Sequence, residues 1–237
     1  MRGANRTTAK QSSATKNAHG GKNHLASDND LPAKLLILDQ DLIGELIRDR
    51  QERGIDQHDE IWEGVYVVPP LANNVHQGLV TALTFVLYLV INLENRGAVF
   101  PGANISDRKA GWKRKFRAPD VVVVLKEGRA IDCNTHWMDG PDFLIEVQSP
   151  GEQIEEKIPF YEQMHVRELL IVQRDTRELR LLRHDGQRLT PLQASVLQGG
   201  KWLVSEVVPL AFRRRSQHKS PVLDLQRTDG IPGNWTI

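Results

Sequence analysis

A chain of 237 residues, 40% of them hydrophobic, can bury one sizeable core, so one main domain with tails is expected. Thirty-one Lys and Arg against thirty Asp and Glu leave a net charge of +1, which excludes a global field drawing an acidic partner. The single cysteine, Cys133, excludes an intrachain disulfide and a cysteine-rich zinc site, fits a reducing compartment, and makes a cytoplasmic location the expectation.

Residues 1–24 contain no Leu, Ile, Val or Phe, and hence no apolar stretch of a secretory signal. Five cations and no acid before Asp28 point to a disordered basic tail over 1–35. Leu38 to Glu52 has Leu42, Ile43, Leu46 and Ile47 at helical spacing, with Gly54 as its stop. Ile61 to Val68 reads as one strand, ended by Pro69-Pro70. A long helix follows from about His76 to Asn95, with Asn73 or Asn74 as N-cap and Gly97 at C′. Its apolar run is too diluted by Thr81, Thr84 and Asn92 for a membrane span, so it is expected in the core.

Strands are predicted over 98–100, 120–125, 143–148, 169–173 and 179–183, the last two joined by a turn at 174–176. A helix between Glu152 and His165 must either kink at Pro159 or begin late, because proline inside a helix removes a hydrogen bond and clashes. From Arg213 the chain is basic and dotted with Pro and Gly, so the domain is placed over 36–212 and a loosely held tail over 213–237. Helices and doubly apolar strands in this order predict an α/β or α+β sandwich around one mixed sheet.

Two carboxylates interrupt the most apolar strands. Asp120 opens Val121-Val122-Val123-Val124-Leu125, and Glu146 sits inside Phe143-Leu144-Ile145-Glu146-Val147-Gln148. A carboxylate in such a run is costly to desolvate and is usually paired, hydrogen-bonded or metal-bound. Alternation puts Glu146 and Gln148 on one face. On adjacent strands, about 4.8 Å apart, Asp120 and Glu146 reach one divalent ion, and hard oxygen ligands suit magnesium or manganese. From spacing alone, purely structural carboxylates remain the competing reading.

The segment Arg108, Lys109, Lys113, Arg114, Lys115 and Arg117 carries no acid, whereas ten acids face three cations between Ala118 and His165. A basic approach to an acidic pocket suits a polyanion beside a cation; a solvated loop is the plain alternative. Trp112 either stacks on a base or anchors a loop, His76 either acts chemically or caps and packs, and Tyr161 either lines the site beside Lys157 or packs.

The stretch Ile61 to Arg183, about half the chain, resembles the Uma-two family of restriction-endonuclease domains, within the PD-(D/E)xK nuclease superfamily. The match is carried by Trp62-Glu63-Gly64, Pro69-Pro70, His76, Arg117-Ala118-Pro119-Asp120, the run from Pro141 to Pro150, Glu156-Lys157-Ile158-Pro159-Phe160-Tyr161 and Val166 to Val172. The resemblance implies a restriction-endonuclease-like fold, a central mixed β-sheet flanked by helices, and magnesium- or manganese-dependent cleavage of DNA. Asp120 matches the first acid of the motif and Glu146 the second. Gln148 stands where the simple pattern has lysine, and family members commonly replace that lysine with a helical one, here Lys157.

In this reading Asp120, Glu146 and a backbone carbonyl near Val147 hold the metal. Lys157 stabilises the transition state and Gln148 positions water. Glu63 is an extra acid and His76 a general base or phosphate contact. Arg108, Lys113, Arg114, Lys115, Arg117 and Trp112 meet the DNA. A homodimer without membrane attachment is expected, since two strands call for two sites. Two competing readings are a non-catalytic nucleic-acid-binding module on the same fold and a structural domain with merely ion-paired carboxylates.

Overall fold

Strand β9, Phe143–Gln148, is the middle of the molecule, and every one of its residues is buried. A computed structural model describes residues 35–56, 58–69, 72–192, 201–216 and 220–237. Of the expected N-terminal tail only Leu35 falls within them, and there it opens a strand.

The chain begins with β1 (Leu35–Ile37), α1 (Gln40–Glu52), β2 (Glu60–Trp62) and β3 (Val65–Val68). Asp39 caps α1, its carboxylate accepting from the N–H groups of Asp41 and Leu42 at 3.0 and 3.1 Å. The single strand expected over 61–68 is instead a hairpin. Glu63 and Gly64 both take positive φ, 48° and 90°, the two-residue turn whose twist matches that of its strands.

Helix α2 (Asn74–Ile91) is capped by Asn73, whose side chain accepts from the His76 N–H at 3.0 Å. Among the described residues it is the one helix long and apolar enough to cross a membrane, and one face of it, Leu79, Leu83, Val86, Leu87, Val90 and Ile91, is packed in the core as expected. Gly97 is not its C′ residue; Asn95 takes the left-handed conformation, φ 57°. Gly97 already belongs to β4 (Gly97–Pro101), paired with Leu125. A Cβ there would collide with the Val124 carbonyl oxygen across the ladder. Gly97→Ala is therefore expected to cost about 1–3 kcal/mol by overpacking, measured by urea unfolding; an unchanged midpoint would refute this.

The remaining elements are β5 (Ile105–Ser106), a 3₁₀ turn over Trp112–Arg114, β6 (Val121–Leu125), β7 (Ile131–Asp132), β8 (Trp137–Met138), β9, a second 3₁₀ turn over Ile154–Glu156, α3 (Ile158–Gln163), β10 (Glu168–Gln173), β11 (Leu179–His184), β12 (Leu189–Pro191), β13 (Leu203–Val204), β14 (Leu210–Arg215), β15 (Val222–Arg227) and β16 (Asn234–Thr236). Where one helix was expected over 152–165, the late start prevails: Pro159 lies in the first turn of α3, where its missing N–H is not needed.

The central sheet has six strands in the order β12-β11-β10-β9-β6-β4. β9 and β10 are parallel and their neighbours antiparallel, so the sheet is mixed, as expected. Alternation sends Val121, Val123 and Ile145 toward α2, and Val122, Leu144 and Ile171 toward α3.

The loosely held tail expected over 213–237 is corrected. β14, β15 and β16 form a four-stranded sheet with β13, and Leu210, Phe212, Leu223 and Leu225 join the α2-side core. The alternation Leu223-Asp224-Leu225-Gln226 carries that signal in the sequence, masked by the Pro and Gly around it.

Candidate active site

Antiparallel pairing of Val121 with Ile145 sets Asp120, one residue before β6, against the end of β9. The Val147 N–H donates to Asp120 Oδ2 at 2.7 Å, and His76 Nε2 from α2 lies 3.0 Å from Oδ1. Glu146 is buried one residue away. Lys157, at the entry to α3, brings its Nζ to 3.2 and 3.4 Å from the two Glu146 oxygens. Tyr161, one turn further on, donates its hydroxyl to Glu146 Oε1. Asp120, Glu146 and Lys157 thus share one cleft of about 390 Å³, together with His76, Glu60 and Glu152. A wider cleft of about 520 Å³, lined by Arg96, Lys126 and Asp229, lies apart from these groups.

Glu60 on β2 was not singled out from the sequence. Its Oε1 lies 3.2 Å from Lys157 Nζ and accepts from the Ala118 N–H at 2.9 Å, while Oε2 accepts from Trp62 Nε1 at 2.6 Å. The expected extra acid, Glu63, sits at the hairpin tip, 59% exposed, pairs with Lys115 and Arg117 at 3.3 and 3.4 Å, and does not line the cleft. The signal was the position: Glu60 begins a strand whose alternation puts it on the Trp62 face, whereas Glu63-Gly64 is a turn dipeptide.

Gln148 is spent on the rim. Its Nε2 donates to the Glu152 carbonyl at 2.5 Å and its Oε1 accepts from Gln173 at 2.6 Å. It therefore ties the loop after β9 to β10; one of its two amide hydrogens is engaged at the Glu152 carbonyl, and the side chain is not part of the cleft lining.

The basic segment is largely tied down. Arg117, 2% exposed, lies between the rings of Trp62 and Phe160, 4.6 and 4.5 Å from their centroids, and donates to the Ile61 carbonyl at 3.1 Å. A cation so enclosed cannot reach DNA, and its expected contact role is corrected. Trp112 stacks on His136 at 4.8 Å and meets Phe116 edge-on, which is the loop-anchor reading. Arg108 pairs with Asp107 at 2.6 Å, and Lys115 with Asp107 and Glu63 at 3.1 and 3.3 Å. Lys113 and Arg114 are exposed.

The electrostatics follow from four acids around one lysine. Burial, with the charges of Asp120, Glu60 and Glu152, pushes the Glu146 carboxyl up to about 8 despite Lys157. Burial alone would lower the Lys157 ammonium, but Glu146 and Glu60 hold it above its ordinary value. Burial likewise opposes the His76 charge, and the Asp120 carboxylate outweighs it, so His76 is raised. The Tyr161 hydroxyl is raised by burial and by the same two glutamates, and stays a donor.

A mixed sheet with Glu146 on β9 and Asp120 just before the adjacent β6, answered by Lys157 at the entry to the following helix, makes this an α/β protein with an acid–acid–lysine cleft. The chain belongs to the Uma2 family: the family model, described as "Putative restriction endonuclease", matches residues 48–217, well over half its length. Among solved structures the chain is similar to one described as a "putative nuclease belonging to DUF820" from Anabaena variabilis ATCC 29413. The two are 17% identical with a TM-score of 0.44, over 56% of this chain and 75% of that one. No curated protein matches the chain.

Proposed function

We propose that this protein is a divalent-metal-dependent endonuclease that hydrolyses DNA phosphodiester bonds. The observation that carries the reading is the convergence of Asp120, Glu146 and Lys157 in one cleft, with separations set by the strand register and by α3.

The donor set fits a hard cation. Each Asp120 oxygen accepts one hydrogen bond and keeps a lone pair; four carboxylates, Asp120, Glu146, Glu60 and Glu152, act on Lys157, while Asp59 in the same cleft is paired with Arg50. Among the described residues no group of three His, Cys, Asp or Glu is placed to hold a metal, so two carboxylates and water must suffice. That is how magnesium is commonly held, and manganese accepts the same oxygen donors. Asp120 and Glu146 would hold the ion, which when bound neutralises phosphate charge and lowers the pKa of a water.

The protein's own groups do the rest. His76 and the Val147 N–H fix the Asp120 carboxylate from both sides, and Tyr161 and Lys157 fix Glu146. Lys157 holds its proton at Nζ and presents a cation where negative charge develops on the phosphate. The expected homodimer belongs to this reading, one site for each strand.

One observation favours the second reading, a module that binds without cutting: Gln148 replaces the lysine, and its amide is engaged at both ends. Supercoiled plasmid separates the two. Nicked circles with magnesium or manganese and none with EDTA are the expected result. Intact plasmid under every condition, with no manganese binding by calorimetry, would refute the endonuclease.

A further inference from the structure

Arg117 is buried, and beyond the exposed Lys113 and Arg114 of the basic segment a second group of cations stands near the cleft. Because β9 and β10 are parallel, the turn after Gln173 leaves the sheet at the edge where Glu146 and Gln148 lie. The Arg174 N–H donates to the Gln148 carbonyl at 2.9 Å, and its charge is felt at His76. Arg177, whose N–H donates to the Gln173 carbonyl at 2.9 Å, is anomalous twice.

First, it is not glycine, yet its φ is 57°, a left-handed conformation that costs a long side chain about 1–2 kcal/mol. Second, its Nε and Nη1 are shielded from solvent without a hydrogen-bond partner, and it makes no ion pair among the described residues. A guanidinium left so is destabilising, and a strained arginine that feels the charge of Asp175 but has no hydrogen-bond partner for two of its nitrogens points to a ligand at this turn. A third arginine arrives from the other sheet: Arg214 on β14 donates its Nε to the Thr176 carbonyl at 2.7 Å. The acids of the turn are Asp175, held by Arg174 at 2.7 Å, and the exposed Glu178.

We propose that Arg174, Arg177 and Arg214 form a contact for the phosphate backbone of double-stranded DNA, beside the cleft at the carboxyl ends of β9 and β10. The proposal rests on the endonuclease reading and names the surface that would hold its substrate. The ligand is a polyanion with regularly spaced phosphates, because the three side chains come from two separate elements and a forked guanidinium matches phosphate geometry.

The test is binding of a labelled duplex by the full chain, by fluorescence anisotropy in calcium buffer over a salt series. Arg177→Gly suits the left-handed backbone, so it removes the guanidinium without adding strain. It is expected to weaken binding roughly tenfold while its melting temperature holds or rises; a structural arginine would lose stability instead. Arg174→Ala/Arg177→Ala/Arg214→Ala is expected to flatten the dependence of log K on log salt by about 0.9 per lost contact, about 2–3 in all. Wild-type affinity and slope in both variants would overturn the surface, while plasmid nicking by the wild type would leave the endonuclease standing. A wild type that neither binds duplex nor nicks plasmid overturns both. Should the triple variant unfold, Arg177→Gly decides alone.

Discussion

Asp120→Ala and Glu146→Ala should each lower the plasmid-nicking rate by about a hundredfold to a thousandfold, the scale of removing one preorganised electrostatic group from a reacting centre. The two carboxylates are held by different partners, Asp120 by His76 and Val147, Glu146 by Lys157 and Tyr161, so neither can replace the other. Asp120→Asn keeps the shape and removes the charge; it should be as inactive as the alanine variant if charge is what matters. Glu63→Ala should nick within about twofold of the wild type, since that side chain sits at an exposed turn outside the cleft. Equal rates in wild type, Asp120→Ala and Glu146→Ala would end the assignment. A severe loss in Glu63→Ala would show that the hairpin tip takes part.

Lys157→Met is expected to destabilise the fold by about 3–5 kcal/mol, the usual cost of leaving buried charge without its partner. Lys157 is 12% exposed, Glu146 and Glu60 each 4%, and the ammonium lies 3.2 Å from both. The same cluster sets a pH dependence. Glu146 is raised from an ordinary 4.5 to about 8 on folding, so the folded state binds its proton more tightly than the unfolded chain. Its contribution is complete below about 4.5 and is lost as pH rises through about 8. With divalent metal chelated, urea unfolding should therefore show stability falling from pH 5 to pH 8 in the wild type, and a flatter profile in Glu146→Gln. A flat wild-type profile would mean that the acids around Lys157 do not share the space described.

Much of this was legible locally. Asp120 and Glu146 stood out because they interrupt apolar runs, and β9 was delimited to the residue by its flanking turns. Pro159 left two choices for the third helix, a kink or a late start, and the structure takes the late start. Where expectation and structure part, the missing information was a partner distant in sequence. Arg117 read as a DNA contact because its neighbours in the chain are cations, but its neighbours in space are Trp62 and Phe160. Gln148 read as facing the same pocket as Glu146, and in space its amide bonds Gln173 and the Glu152 carbonyl at the loop after β9.

The amino-acid sequence by itself determined the periodic elements, the two costly carboxylates and, through its resemblance to a family, the lysine that answers them. These depend on residue type and on spacings of two to four residues, which backbone geometry converts directly into faces and turns. Tertiary structure alone decided that Glu60 rather than Glu63 lines the cleft beside Lys157, and that β14, β15 and β16 pair into a sheet where a loose tail was expected. Charge and burial act through distance in space, and the register that brings β2, β6, β9 and α3 to one cleft is set by packing across the whole sheet.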